Sequence, residues 1–339
     1  MNLGLLFLGN EPLSLLRGLA PRAERSGFHG LYMVEAYRSA WAPLGLLASV
    51  TERVRLGPYV LNVHAHSPWI TGLSALDFNE LCGGRLELGI GAGNRHLNAH
   101  CLGIEQSRTL TRLTETVKIL QGMSRCEPGQ SFSFEGRVER MNWRALHQPS
   151  PFPVFAAAVF PEMLAAMAGV ADGIAGGATL SPEFLRERLR PAAAESAAAA
   201  GRDPAALRWK SVLFAAVSDD LHTARDAARQ ALGGLFHPMP HPYYSWTLRQ
   251  QGYGVVVDAL ERLLPTGAVS EAHRQIPDEL LEQTMLVGSR AQCAQRLRDY
   301  EGLVEEVLLV NVLPGAADNA DAPWDDLMAL PAEAARTPA

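Results

Sequence analysis

Residues 83–94 read GGRLELGIGAGN, and this stretch decides the fold. An apolar strand carried by Leu86, Leu88 and Ile90 runs straight into Gly91-Ala92-Gly93, with the polar Asn94 at the lip. A strand whose C-terminal end opens into glycines leaves backbone N–H groups bare, so an anionic ligand can approach closely. Glycine turns also end many strands for steric reasons alone. The stretch therefore takes its meaning from what surrounds it.

Outward from this turn, strand-like and helix-like segments alternate. Upstream, apolar runs at 3–8, 31–34 and 54–61 read as buried strands, and 13–25, 43–51 and 70–81 read as helices. Downstream, strands are expected at 154–157, 173–175, 207–217 and 307–312, with helices at 110–123, 161–169, 182–200, 221–232 and 290–303. Residues 131–141, SFSFEGRVERM, break the rhythm with the alternation of a β-hairpin. From 233 to 284 the pattern loosens around HPMPHPYY and a glycine pair, with one helical stretch at 255–264. Eight strands separated by helices favour a closed (β/α)8 TIM barrel with insertions. An open doubly wound sheet needs GxGxxG after its first strand, and LGNEP at 8–12 does not qualify. The expectation is a single α/β domain over 1–315, with insertions at about 125–150 and 233–285, then a tail over 316–339 made of a loop and one short helix.

Composition narrows the function classes. Of 339 residues, 36 are acidic and 30 basic, a net charge of −6 with no basic run. Nucleic acid is not an expected partner, because phosphate neutralisation needs clustered Lys and Arg. Cys82, Cys101, Cys126 and Cys293 show neither CxxC spacing nor a Cys/His cluster, so no disulfide framework or metal site is expected. The apolar start, MNLGLLFLGNEP, lacks the features of a signal peptide and reads as a first strand. No run approaches the ~18 apolar residues of a membrane span. A cytoplasmic protein acting on a small molecule is the expectation.

In a barrel the chemistry sits at the C-terminal ends of the strands. That position selects Gly9–Glu11, Glu35–Tyr37, Tyr59–His66, Gly91–Asn94, Gly176–Thr179 and Asn311. Two of these are glycine turns, after the fourth and sixth strands, and both can present N–H groups to a phosphate.

Several segments, in order, are similar to the bacterial luciferase-like superfamily of flavin- and coenzyme F420-dependent oxidoreductases. They are AERSGFHGLYMVEA, TERVRLGPYVLN, HSPWITGLSALDFNELCGGRLELGIGAGN, ADGIAGGATLSPE and LVGSRAQCAQRLRDYEG, and the resemblance spans about 3 to 312. It implies a barrel that binds coenzyme F420, or alternatively FMN, at its C-terminal mouth. HPYY at 241–244, GYG at 252–254 and IPDELLE at 276–282 look like the deazaflavin branch. The implied activity is F420-dependent hydride transfer to or from a small organic substrate. An FMN-dependent monooxygenase is the alternative on the same fold. A catalytically silent barrel, serving as a partner or ligand-binding subunit, is the alternative of another class. Relatives commonly pair through barrel helices, which implies a homodimer.

The resemblance also assigns residues. Tyr59 and Val60 fall where relatives place a bulge with a non-proline cis peptide behind the ring. Asn62 could reach the ring's polar edge, although strand-end asparagines also cap loops. Gly91, Ala92, Gly93 and Asn94 match the cofactor-contacting turn, and Gly176, Gly177 and Ala178 the phosphate-proximal turn. Glu35 ends the second strand, where relatives often place His next; this chain has Ala36. His64 and His66 are the candidates to replace it as proton shuttle, since imidazole titrates near neutral pH. Tyr37, Trp41 and Trp69 are candidate pocket walls, though aromatics more often belong to cores. Arg38 and Arg95 are the local cations for an acidic cofactor tail.

Overall fold

The computed structural model describes residues 1–146, 148, 150–236, 241–318 and 322–336. Its twelve strands are β1 (Asn2–Phe7), β2 (Gly30–Met33), β3 (Arg55–Pro58), β4 (Leu61–Asn62), β5 (Leu88–Gly91), β6 (Ser131–Glu135), β7 (Arg140–Arg144), β8 (Val154–Ala157), β9 (Gly173–Ala175), β10 (Arg208–Val217), β11 (Leu286–Gly288) and β12 (Glu306–Asn311). Parallel pairing runs β3-β2-β1-β12-β10-β9-β8-β5-β4, with β11 added beside β10. The path begins on β3 and ends on β4, which are two pieces of one strand interrupted at Tyr59–Val60. A bridge between Leu56 and Leu86 completes the circuit. The sheet is a barrel.

Period-two alternation sorts its side chains. Leu5, Phe7, Leu31, Met33, Leu213, Ala215, Val307 and Leu309 pack outward against the helices. Leu6, Tyr32, Val212, Phe214, Leu308 and Val310 form a second cluster inside the barrel and under the helices that follow β10. Parallel strands covered on both sides bury both faces, which is why they read as unbroken apolar runs.

The lower layer of that interior is polar, which the apolar reading of the strands did not anticipate. Lys210 is 1% exposed and bonds Tyr32, Glu87 and Glu306. Tyr32 donates to Glu87 and Glu306 at 2.7 and 2.8 Å, and Arg208 bridges Glu87 to Glu305. Burial pushes the Glu87 carboxyl up, but Lys210 and Arg208 override it and hold it at about 2. The layer lies at the strand starts, the end of a barrel that serves stability.

The two insertions differ in kind. β6 and β7 form the expected antiparallel hairpin. Glu115 anchors its turn by accepting from the N–H groups of Arg137, Val138 and Glu139. The stretch after 233 is not loose: it holds the helices Pro242–Gln250, Gly254–Leu263, Val269–Arg274 and Asp278–Thr284. Residues 237–240 of HPMPHPYY lie outside the described residues. Beyond 315 the chain carries the helix Asp325–Arg336, which buries Leu327, Met328 and Leu330. The preceding Trp324 packs on Phe7 with ring centroids 5.8 Å apart. Among the described residues, no helix is long and apolar enough to cross a membrane.

Candidate active site

The strand ends bring most of the expected cofactor residues together. The peptide between Tyr59 and Val60 is cis. The bulge it forms presses against β5, and glycine alone leaves room there. A Cβ on Gly89 would stand 2.5 Å from the Pro58 carbonyl oxygen, and one on Gly91 2.8 Å from Val60 Cγ2 and 3.0 Å from the Ala157 Cβ. The alternate glycines of LGIG therefore have a packing reason as well as a site reason. Across the mouth, Tyr59 donates its hydroxyl to the Gly176 carbonyl at 2.9 Å. The bulge thus touches both glycine turns.

Asn62 is committed to the loop. Its amide donates to Asn98 at 2.6 Å and its oxygen accepts from the His64 N–H at 3.0 Å. Gly93, at φ 69°, admits that side chain, because a Cβ there would come within 2.6 Å of it. Asn94 accepts from the Leu97 N–H at 3.0 Å and starts the short helix that follows. Ala92 lends its carbonyl to Asn98 and Gln106. These contacts shape the turn after β5 and leave Asn62 and Asn94 as its braces.

The acid–base candidates separate cleanly. His66 Nε2 lies 2.7 Å from Glu35 Oε2, with both side chains partly shielded. The hydrogen bond to Glu35 raises the His66 pKa against the opposing effect of burial. His64 goes the other way: burial lowers its pKa, Arg112 adds to this, and Nε2 sits 3.1 Å from the Thr109 hydroxyl. His66 is thus held against the Glu35 side chain, which favours its charged form, whereas His64 ties a loop to the helix Thr109–Arg125 in surroundings that favour its neutral form.

The aromatic candidates do not converge. Tyr37 and Trp69 are 76% and 49% exposed. Trp41 stacks on Phe78, with centroids 5.7 Å apart, and packs against the outer core. Trp41 thus belongs to the packing of its helix, while Tyr37 and Trp69 stand exposed. Arg38 donates to the Gly9 carbonyl at 2.7 Å, Glu11 caps its own loop through the Leu8 and Gly9 N–H groups, and Asn311 braces Pro323. Arg95 is exposed.

Sequence reading missed two features. One is the polar layer, whose signal was charge at the starts of three apolar strands: Glu87 just before β5, Arg208 and Lys210 in β10, and Glu306 in β12. The other is Tyr243 on the helix Pro242–Gln250, whose phenol oxygen reaches Gly177. That helix is fastened to the turn after β9: Thr247 and Thr179 hydroxyls lie 3.0 Å apart, and Gln251 donates to the Thr179 carbonyl at 2.7 Å. Among the described residues, no cluster of three or more His, Cys, Asp or Glu could hold a metal ion.

The profile of the family described as luciferase-like monooxygenase matches residues 3–305. A 5,10-methylenetetrahydromethanopterin reductase from Archaeoglobus fulgidus is 26% identical over 305 residues, covering 88% of this chain and 90% of that protein. The coenzyme F420-dependent tetrahydromethanopterin reductase of Methanopyrus kandleri superposes with a TM-score of 0.78 at 18% identity, covering 95% of this chain and 96% of that one. The oxygenating constituent of 3,6-diketocamphane monooxygenase from Pseudomonas putida, solved in complex with FMN, gives 0.70 at 17% identity and covers 100% of both chains. At such identities the two structures establish a shared fold. Relatives on this fold use F420 or FMN.

Proposed function

The chain belongs to the luciferase-like monooxygenase family and is an oxidoreductase, and from that premise we propose that it transfers hydride between coenzyme F420 and a small organic substrate at the barrel mouth. The carrying observation is the bulge that meets both glycine turns, with Val60 in the space left by Gly91 and the Tyr59 hydroxyl on Gly176. An apolar backing between two turns rich in N–H groups suits a flat heterocycle with an anionic tail. Val60, Gly91, Gly93, Gly176, Gly177 and Ala178 would hold it, and the exposed Arg95 beside the first turn would meet an acidic tail. The similarity to a reductase and to an F420-dependent fold neighbour supports the deazaflavin over FMN. FMN-dependent oxygenation is the second reading, since the same turns suit either phosphate and a neighbour of this fold binds FMN.

Bound F420 supplies the two-electron redox chemistry. The protein's part is acid–base. Glu35 raises the His66 pKa and occupies Nε2, leaving Nδ1 as the nitrogen for proton exchange with the substrate. His66 so takes the role that Ala36 vacates. In the reductive direction, carbon receives hydride and the adjoining heteroatom receives the His66 proton, which balances the two-electron reduction of a C=O or C=N bond.

The test mixes the purified protein with reduced F420 and a panel of aldehydes, ketones and imines under argon. Substrate-dependent return of the oxidised deazaflavin absorbance supports the proposal. Turnover only with reduced FMN and oxygen would replace it with the second reading.

A further inference from the structure

The Arg38 guanidinium is anchored at one end and free at the other. The loop after β2 carries this half-buried side chain to the barrel mouth, where Nε donates to the Gly9 carbonyl at 2.7 Å. Gly9 is itself held, because Glu11 uses both carboxylate oxygens on the N–H groups of Leu8 and Gly9. The arginine stem lies close over Gly9: at φ 89°, a Cβ there would stand 3.5 Å from the Arg38 Cγ. The two terminal nitrogens have no partner among the described residues, a carboxylate included, and they are not sealed from solvent. Half-buried arginines elsewhere use theirs. Arg208 and Arg229 donate to carboxylates, and Arg85 and Arg190 to backbone carbonyls. A fixed guanidinium with two unused donors is a planar fork, which suits a carboxylate.

Its place in the barrel says which molecule brings that carboxylate. Strand order separates β2 from β5 by the broken strand β3–β4, and from β9 by β1, β12 and β10. Arg38 therefore sits apart from both glycine turns. It shares its loop with Glu35, whose carboxylate meets His66 at 2.7 Å. That sets it beside the proton donor rather than along the cofactor tail.

We propose that Arg38 grips a carboxylate of the substrate, and that the substrate is an organic acid whose carbonyl or imine carbon lies a few bonds from that carboxylate. This rests on the hydride-transfer reading above and gives its substrate class. In the reductive direction an oxo acid leaves as the hydroxy acid, with hydride from reduced F420 on carbon and the His66 proton on oxygen. Arg38 sets specificity and takes no part in the proton transfer.

The experiment titrates pyruvate, acetoacetate and levulinate, each against its methyl ester, into wild type and Arg38→Met by calorimetry, with and without F420. Methionine keeps an apolar stem over Gly9 and removes the charge and its donors. Wild type should bind at least one acid roughly ten- to hundredfold tighter than its ester, as for hydrogen bonds between charged groups. Arg38→Met should erase that preference. Arg38→Lys, which keeps the charge without the fork, should restore only part of it. Absence of any acid preference in wild type would overturn the inference, and so would a preference that survives in Arg38→Met. Turnover with reduced F420 separates the two readings. Acids bound through Arg38 but not reduced would leave the carboxylate site standing and remove the hydride-transfer reading. Esters reduced as efficiently as acids would do the reverse.

Discussion

His66 and Glu35 lie 31 positions apart, and the barrel joins them at 2.7 Å. Glu35 raises the imidazole pKa, so proton donation is available below that raised pKa and is lost as pH rises through it. His66→Gln should lower kcat by about 10²- to 10⁴-fold in the reductive direction. Glu35→Gln should keep most activity but move the alkaline fall of the pH–rate profile toward acid; an unmoved profile would remove His66 from the proton path. At the other end of the barrel, Lys210 neutralises buried Glu87 and Glu306. Lys210→Met removes the ammonium the two carboxylates share, leaving Glu87 with Arg208 and Tyr32 and Glu306 with His29 and Tyr32, and should cost about 3–5 kcal/mol near neutral pH in urea titrations. Glu87, lowered to about 2, contributes stability that is present above its unfolded pKa near 4.5 and lost as pH falls toward 2. The Lys210→Met deficit should therefore shrink in acid, where the two carboxylates take up protons. A deficit that is flat from pH 7 to 3 would contradict this account of the layer.

At the scale of the element, β5 shows how packing and site share residues. Its glycines at 89 and 91 face the bulge between β3 and β4, which in the proposed reading would back the cofactor. Gly89→Ala sets a methyl against the Pro58 carbonyl and should cost about 1–3 kcal/mol as overpacking, together with weaker cofactor binding. Full stability in a denaturant melt would mean that the bulge can retreat. The glycine turns were legible in sequence because a strand running into glycine is a local pattern. The strand β11 was not, since its three residues lie between a helix and the capping box of Ser289 and Gln292, too short to show a period. The insertion helices were obscured for a different reason: Pro242, Tyr243 and Tyr244 open a helix of only nine residues, Pro242–Gln250, too short to show a clear period in the sequence. The acid–base pair was legible as separate residues and not as a pair, because loops after two different strands supply it.

For the molecule as a whole, strand–helix alternation and strand count were enough for the barrel, because parallel strands must alternate with covering helices. The polar layer escaped because Glu87, Lys210 and Glu306 are about a hundred positions apart and only closure brings them together. Beyond 315 a short helix was legible but its packing was not, because the segment is rich in Ala, Asp and Pro, although Trp324, Leu327, Met328 and Leu330 are buried. Ending the chain at residue 320 should therefore destabilise the barrel by several kcal/mol, with each buried apolar side chain worth about 1.5–3 kcal/mol. Intact melting behaviour in that truncation would show the last helix to be dispensable. The central claim concerns the mouth, where the bulge and two glycine turns meet. Its most direct test is parallel titration of the purified protein with F420 and with FMN, followed by fluorescence quenching. The account predicts saturable binding of F420 at lower concentration than FMN, weakened by Gly91→Ala; preference for FMN, or binding of neither, would contradict it.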